Sequence, residues 1–265
     1  MNLRIVGAVE AIAPGLLVVA VIGLWEFAVR LTHVPDFILP SPRAIGTALV
    51  GDFPILYPSL VFTVGVTVTA FLTAAVLGLL LAILMASSRW IERALYPVAV
   101  VLQVTPVVAI APLVIIWVHD TRLSLLICAG LVAFFPVVAN ATIGLRSTDP
   151  NLVSLFRLYG ARPWQILCWL RMPAASPYYL AGLKIAGGLS LIGAVVAEFV
   201  AGTGGAKSGL AFVIVESGYR LNMPRMFAAL FLISAVGIAM HALLGRISRL
   251  VLARWHESAL DPMSH

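Results

Sequence analysis

Among the polar side chains inside long apolar stretches of this sequence, four are candidates for a solute path or gate: Gln103, Thr105, Asn140 and Glu198. Neutral polar groups at membrane depth either hydrogen-bond between helices or line a path for a solute. The residue types leave both roles open for Gln103, Thr105 and Asn140. For Glu198, which precedes a glycine-rich segment, a structural hydrogen bond to that segment or to a neighbouring helix is favoured over a gating or solute-path role.

Residues 201–208 (AGTGGAKS) resemble a phosphate-binding loop but lack two of its requirements. That motif needs a glycine directly before its lysine and a strand before the loop, whereas here Ala206 precedes Lys207 and an apolar stretch precedes the loop. The five histidines show no metal-ligand spacing, and no nucleophile accompanies the His119-Asp120 pair. We therefore expect no catalytic residue, no metal site and no cofactor bound by this chain; any ATP that it depends on would belong to a partner.

The composition of the 265 residues indicates a membrane protein. Hydrophobic residues make up 62% and charged residues 11% of the chain, against about 45–50% and about 25% in soluble domains. So few charged side chains cannot cover a water-exposed surface, so a lipid bilayer must surround much of the chain. The net charge of +6 is spread in short clusters between apolar stretches, which excludes a basic nucleic-acid-binding face.

Six stretches are long and apolar enough for helices that cross a bilayer, each needing about 20 residues. Runs such as residues 74–82 (AAVLGLLLA) lack the alternation of barrel strands. The predicted fold class is an all-α membrane protein, with one polytopic domain over residues 1–265. The predicted spans are residues 12–28, 58–86, 95–118, 123–145, 178–200 and 226–244.

Positive charge predicts the orientation, because cytoplasmic segments are enriched in Lys and Arg. With the amino terminus inside, the inside segments hold ten basic residues: Arg4, Arg89, Arg93, Arg146, Arg157, Arg162, Arg171, Arg246, Arg249 and Arg254. The outside segments hold six: Arg30, Arg43, Arg122, Lys207, Arg220 and Arg225. Both termini of a multi-pass protein are therefore expected in the cytoplasm.

Two connections are long enough to have structure of their own. The inside connection, residues 146–173, contains Asp149-Pro150, which can begin a short helix that Gly160 then ends. A second short helix is expected over 163–170, ending before Pro173. The outside connection contains the apolar run 209–215, which predicts a helix on the membrane surface or packed on the bundle.

Apolar and aromatic residues alternate with arginine in the inside connection, at Leu155, Phe156, Arg157 and Tyr159. This mixture is typical of a protein-docking surface, and equally of an interfacial helix whose aromatics lie at headgroup level. The residue types alone leave both interpretations open.

The inside connection resembles the cytoplasmic loop of permease subunits of binding-protein-dependent ATP-binding-cassette importers. The signature of that loop is Glu-Ala-Ala, three residues, Gly, nine residues, Ile, any residue, Leu, Pro. Gly160 is followed by Leu170-Arg171-Met172-Pro173 in the same register, while Ser154, Leu155 and Phe156 replace Glu-Ala-Ala. The resemblance implies ATPase coupling by Ser154, Leu155, Phe156, Arg157, Tyr159, Gly160, Ala161 and Pro173.

Further segments resemble the subfamily that imports nitrate, sulfonates, taurine and bicarbonate. They occur in the order of that subfamily along most of the chain. The matching segments are 37–42, 106–117, 135–147, 182–199 and 254–258.

The resemblance implies a six-helix type I importer permease in the bacterial cytoplasmic (inner) membrane, with a short cytoplasmic coupling helix. Two copies of the chain, as a homodimer, would work with two ATPase subunits, which bind ATP and Mg, and with an extracytoplasmic substrate-binding protein. The solute would be a small anion of the nitrate, sulfonate or taurine kind, or a pyrimidine-like or riboflavin-like vitamin precursor. The alternative is a self-sufficient secondary transporter or channel, which would need paired ionisable groups near the midplane.

Overall fold

The computed structural model describes residues 2–202 and 208–253. The described residues are almost entirely helical. The loop-like segment 203–207 and the carboxyl-terminal segment 254–258, both singled out in the sequence, lie outside the described residues. The helices are α1 (Asn2–Thr32), α2 (Pro42–Gly51), α3 (Phe53–Ser87), α4 (Arg89–Val104), α5 (Val107–Val118), α6 (Thr121–Arg146), α7 (Pro150–Leu158), α8 (Pro163–Ile166), α9 (Met172–Ala201), α10 (Leu210–Tyr219) and α11 (Met223–Leu252).

Five helical segments are long and apolar enough to cross a membrane, and they contain the predicted first, second, fourth, fifth and sixth spans. The stretch predicted as the third span is divided into α4 and α5, which meet at 99°. Pro106 has no backbone N–H, and it forces the preceding Thr105 into an extended conformation with ψ of 123°. The described residues therefore hold six candidate spans if the bent pair is counted as one.

Close packing between α6 and α9 forms the centre of the bundle, with α3 beside them. A Cβ atom added to Gly193 would lie 2.9 Å from Cα of Ala129, and one added to Gly182 would lie 2.9 Å from the carbonyl oxygen of Pro136. Glycine at these positions lets the two backbones approach, as small residues do between membrane helices.

The predicted helix end before Pro173 is wrong. A π-helical turn, Leu167–Arg171, joins α8 directly to α9, and Pro173 is the second residue of α9. The N–H of Met172 donates to the carbonyl of Leu167, five residues back. This wider turn accommodates the proline, whose missing N–H and bulky ring do not suit a regular α-helical turn.

The apolar run after the fifth span forms α10, which packs on the bundle rather than lying on the membrane surface. Leu210 and Val213 of α10 are buried together with Leu56 of α3 and with Ala228 and Ala229 of α11. α1 is peripheral and largely exposed. It contacts the rest through α2 and through the rings of Trp25 and Phe227, which are 6.0 Å apart.

Candidate coupling and translocation sites

Local signals fix both ends of α7. The carboxylate of Asp149 accepts a hydrogen bond of 2.8 Å from the N–H of Asn151. At the other end Gly160 has a φ of 74°, and the N–H of Ala161 donates to the carbonyl of Phe156 (3.0 Å). The N–H of Gly160 donates to the carbonyl of Arg157 (2.9 Å), which completes a Schellman motif. The predicted cap and the predicted stop are confirmed.

The implied coupling residues of α7 lie on two faces. The outward face, defined here as Leu155, Leu158 and Tyr159, is exposed to 45%, 84% and 85% respectively. Ser154 and Arg157, which are exposed as well, line a cavity of about 410 Å³ between α7 and the ends of α3 and α6.

Three further implied coupling residues lie at the margins of α7. Phe156 and Ala161 are half-buried, and Pro173 is exposed at the start of α9. The structure thus brings the coupling residues around one short helix, and most of them are exposed; the largest exposed apolar side chains are those of the outward face.

Two of the polar residues in the spans meet at the bend between α4 and α5. Gln103 and Thr105 both line a cavity of about 550 Å³ that also borders α6 and α9. The residues that line it are uncharged, and most are apolar. Thr105 donates from Oγ1 to the carbonyl of Val101 (2.7 Å). Gln103 also lines a second cavity of about 500 Å³, which extends to Glu92 and Arg146 near the α7 end of the bundle.

Asn140 lies apart from this bend. Its Nδ2 donates to the carbonyl of Pro136 (2.8 Å), one turn earlier in α6. Asn140 is not among the described residues that line the two cavities at Gln103. Of the three neutral polar residues, the structure groups Gln103 with Thr105 only.

Glu198 is 3% exposed and joins three helices. Its carboxylate accepts hydrogen bonds from Oγ1 of Thr63 in α3 (2.9 Å) and from the N–H of Ala211 in α10 (3.1 Å). Oγ1 of Thr63 in turn accepts from the N–H of Leu210 (2.9 Å). These are structural hydrogen bonds to a neighbouring helix and to the segment that follows the glycine-rich loop.

Sequence reasoning missed Thr63, although a signal was present. Thr63 and Thr67 stand four residues apart within the charge-free α3, and both are fully buried, with exposures of 1% and 0%. Such spacing puts two polar groups on one helix face. A polar stripe on an apolar helix predicts a partner on that side, but not which partner.

With this geometry established, comparison with known proteins decides the family. Residues 74–252, from within α3 to the end of α11, match the family described as "Binding-protein-dependent transport system inner membrane component". The chain belongs to this family.

Curated relatives that are named as permeases match this chain over most of their length. The permease is 31% identical over 233 residues to a probable ABC transporter permease protein of Haemophilus influenzae, covering 88% of this chain and 94% of that protein. It is 31% identical over 244 residues to the formylaminopyrimidine transport permease protein ThiX of Halalkalibacterium halodurans, covering 92% and 96%. The resemblance seen in the sequence is confirmed: the protein is a permease subunit of an ABC importer.

The permease also shares its fold with a solved transporter. An inward-facing form of the MetNI methionine ABC transporter superposes on it with a TM-score of 0.64, covering 75% of this chain and 98% of that chain at 18% identity. This likeness confirms the all-α importer fold predicted from the sequence.

Proposed function

We propose that α7 is the coupling helix of this permease and that its outward face docks on an ATPase subunit. The observation that carries the proposal is the exposure of Leu158 and Tyr159, at 84% and 85%, on a helix outside the spans. Apolar and aromatic side chains that are this exposed outside the membrane spans are typical of the core of a protein–protein interface. The Schellman motif at Gly160 fixes the end of α7, so that the face is presented in one orientation.

We propose the remaining partners by analogy with the family. Two copies of the chain would form the translocation path, two ATPase subunits would bind ATP and Mg, and an extracytoplasmic binding protein would deliver the solute. The excess of Lys and Arg on the α7 side supports cytoplasmic termini and a cytoplasmic α7. ATP bound between the ATPase subunits would favour one of two packed arrangements of the helices, and hydrolysis would restore the other.

A matched pair of substitutions tests the docking face. Tyr159→Asp should abolish co-purification of the permease with its ATPase, because it puts a charge into an apolar contact. Tyr219→Asp makes the same change at an equally exposed position (87%), between the fifth and sixth spans and so on the other side of the membrane. It should leave ATPase binding intact. A Tyr159→Asp permease that retains the ATPase with full transport-coupled hydrolysis would show that docking occurs elsewhere.

We also propose that the solute is an uncharged or weakly charged heterocycle rather than a small anion. The cavity at the bend of α4 and α5 supports this, because Gln103 and Thr105 supply hydrogen-bonding groups among apolar residues and no described charged residue lines the cavity. A fixed cation would be expected along a path for nitrate or a sulfonate. The relative named as a formylaminopyrimidine permease points the same way.

The partner binding protein offers the direct test of the solute. Its melting temperature should rise with a formylaminopyrimidine and stay constant with nitrate or an alkane sulfonate. In proteoliposomes with the complete importer, Gln103→Leu should lower uptake while the ATPase remains bound. A binding protein stabilised by nitrate or sulfonate alone would overturn the proposed solute class. Uptake by the permease alone, driven by an ion gradient, would instead favour a secondary transporter.

A further inference from the structure

Four arginines converge on the cavity behind α7. This open cavity, of about 410 Å³, is bordered by the end of α3, the start of α4, the end of α6, α7 and the π-helical turn. Its arginines come from four separate elements, although the sequence shows them only as scattered positive charges. They are Arg89, Arg146, Arg157 and Arg171.

Two of these arginines have structural partners. Arg146 forms an ion pair with Glu92 and donates to the carbonyl of Met85 (3.3 Å). Arg171 donates to the carbonyl of Ala86 (3.5 Å). Both carbonyls belong to the last turn of α3, where the helix leaves its carbonyls unsatisfied and its dipole favours a cation. Arg146 and Arg171 therefore cap α3.

Arg89 and Arg157 have no such role. Among the described residues, neither guanidinium forms a hydrogen bond or an ion pair. Arg89 is moreover the first residue of α4, where the helix dipole disfavours a positive charge. Both side chains are exposed, so water solvates them when no ligand is bound, and four guanidinium groups around one cavity favour an anion between them.

An unpartnered hydroxyl lines the same cavity. Thr148 is 9% exposed, and within the described residues its Oγ1 is fully buried and makes no hydrogen bond. Buried polar atoms are nearly always hydrogen-bonded. Thr148 lines the cavity, so a rotation of its side chain would bring Oγ1 to the oxygen atoms of a ligand that the two unpaired guanidinium groups hold.

We propose that this cavity binds the phosphate group of an anionic phospholipid. The apolar spans that include α3 and α6 end beside the cavity, at Ser87 and Arg146, which is the level of the lipid headgroups. Trp90, next to Arg89, is 80% exposed and suits the headgroup region, where tryptophan is enriched. Arginine binds phosphate oxygens through paired N–H donors, and basic pockets between membrane helices hold anionic headgroups. The inference goes beyond the proposed importer function and does not depend on ATPase docking.

The test uses the full-length permease, stripped of lipid in a neutral detergent and titrated with phosphatidylglycerol. Bound lipid is counted by native mass spectrometry, and the thermal midpoint is followed in parallel. Phosphatidylglycerol should bind and raise the midpoint, while inorganic phosphate at the same concentration should not. The double variant Arg89→Gln/Arg157→Gln should bind phosphatidylglycerol at least about tenfold more weakly, since charge-assisted hydrogen bonds are lost. The matched double variant Arg93→Gln/Arg162→Gln, outside the cavity, should bind like the parent.

Two single substitutions probe the cavity without removing an arginine. Thr148→Val keeps the side-chain shape and should weaken binding by about two- to tenfold, the effect of one lost hydrogen bond. Ser154→Glu places a competing carboxylate at the cavity and should displace the lipid. Leu158→Glu adds the same charge to the outward face and should not displace it.

Three outcomes would overturn the assignment. Equal phosphatidylglycerol binding by the parent and by the Arg89→Gln/Arg157→Gln and Ser154→Glu variants would show that the cavity holds no lipid. A full effect of inorganic phosphate alone would make it a site for a soluble anion. If the arginine variants kept their lipid but lost the ATPase, the cavity would receive an acidic side chain of that partner.

Discussion

The hydrogen bonds that Glu198 makes with α3 and α10 lead to a measurable prediction about α10. Replacing Thr63 with valine keeps the volume of the side chain but removes two interactions. The N–H of Leu210 loses its acceptor at 2.9 Å, and the carboxylate of Glu198 loses its donor at 2.9 Å. We expect the amino-terminal end of α10 to open far more often in the variant.

The size of the effect follows from these two contacts. A buried N–H left without a partner costs about 1–3 kcal/mol, and an ordinary hydrogen bond contributes about 0.5–1.5 kcal/mol. The lower ends of these ranges give about 1.5 kcal/mol. Since about 1.4 kcal/mol corresponds to a factor of ten, opening should become about tenfold more frequent. The N–H of Ala211 keeps its bond to Glu198, so α10 should stay folded most of the time.

Amide hydrogen exchange, followed by mass spectrometry on the permease in lipid nanodiscs, measures this opening directly. Peptides from α10 should exchange faster in Thr63→Val, while peptides from α7 should be unchanged. The matched control is Thr73→Val, which removes an exposed hydroxyl from the same helix, where it donates only to the carbonyl of Thr69. An acceleration in α10 below about fivefold, or an equal acceleration in Thr73→Val, would refute the reasoning.

A substitution at Gly209 should also make the start of α10 open more often. A Cβ atom added to Gly209, the residue before α10, would overlap the carboxylate of Glu198. Gly209→Ala must therefore displace either the carboxylate or the start of α10, and exchange in α10 should rise as in Thr63→Val. Unchanged exchange in this variant would mean that Glu198 does not fix the position of α10.

Three further predictions concern packing and helix ends. Gly193→Ala should lower the unfolding free energy by about 1–3 kcal/mol through overpacking. In the same thermal unfolding assay Gly188→Ala should be neutral or stabilising, because a Cβ atom at that position has no neighbouring atom within 4 Å. Equal effects of the two substitutions would contradict the close approach of α6 and α9. Asp52→Asn should cost about 1–2 kcal/mol in the same assay, because it breaks the paired hydrogen bonds of 2.7 and 2.8 Å with Arg225, and an unchanged midpoint would show that this pair adds nothing. Gly160→Val should reduce co-purification of the ATPase with the permease. Gly160→Asn should retain it, because asparagine tolerates a positive φ. Loss of the ATPase in both variants would show that Gly160 contributes something other than its backbone conformation.

The features predicted correctly from the sequence are those determined locally. Asp149-Pro150 and Gly160 define α7 because capping involves residues only a few positions apart. Hydropathy locates the spans because a bilayer requires about 20 apolar residues in a row. In both cases the physical cause and the sequence signal occupy the same short stretch of chain.

The features that were missed depend on distant residues. Glu198 and Thr63 are 135 positions apart, and although Thr63 and Thr67 mark one polar face of α3, the sequence does not show which residue that face meets. The four arginines meet only because the start of α4 and the ends of α6 and α7 lie beside the π-helical turn. The continuous helix through Pro173 was missed because a proline signals a helix boundary in most sequences, whereas here a π-helical turn removes the conflict.

The connections of α7 determine how a movement of this helix would reach the spans. After α7 the chain turns at Gly160 and then continues without interruption through α8 and the π-helical turn into α9. α9 packs backbone to backbone on α6 at Gly182 and Gly193, and close-packed interfaces of this kind move together rather than deform. Before α7 only residues 147–149 separate it from α6. We therefore expect a displacement of α7 to move α6 and α9 together, and the bend at Thr105 to be where α4 changes its angle to them.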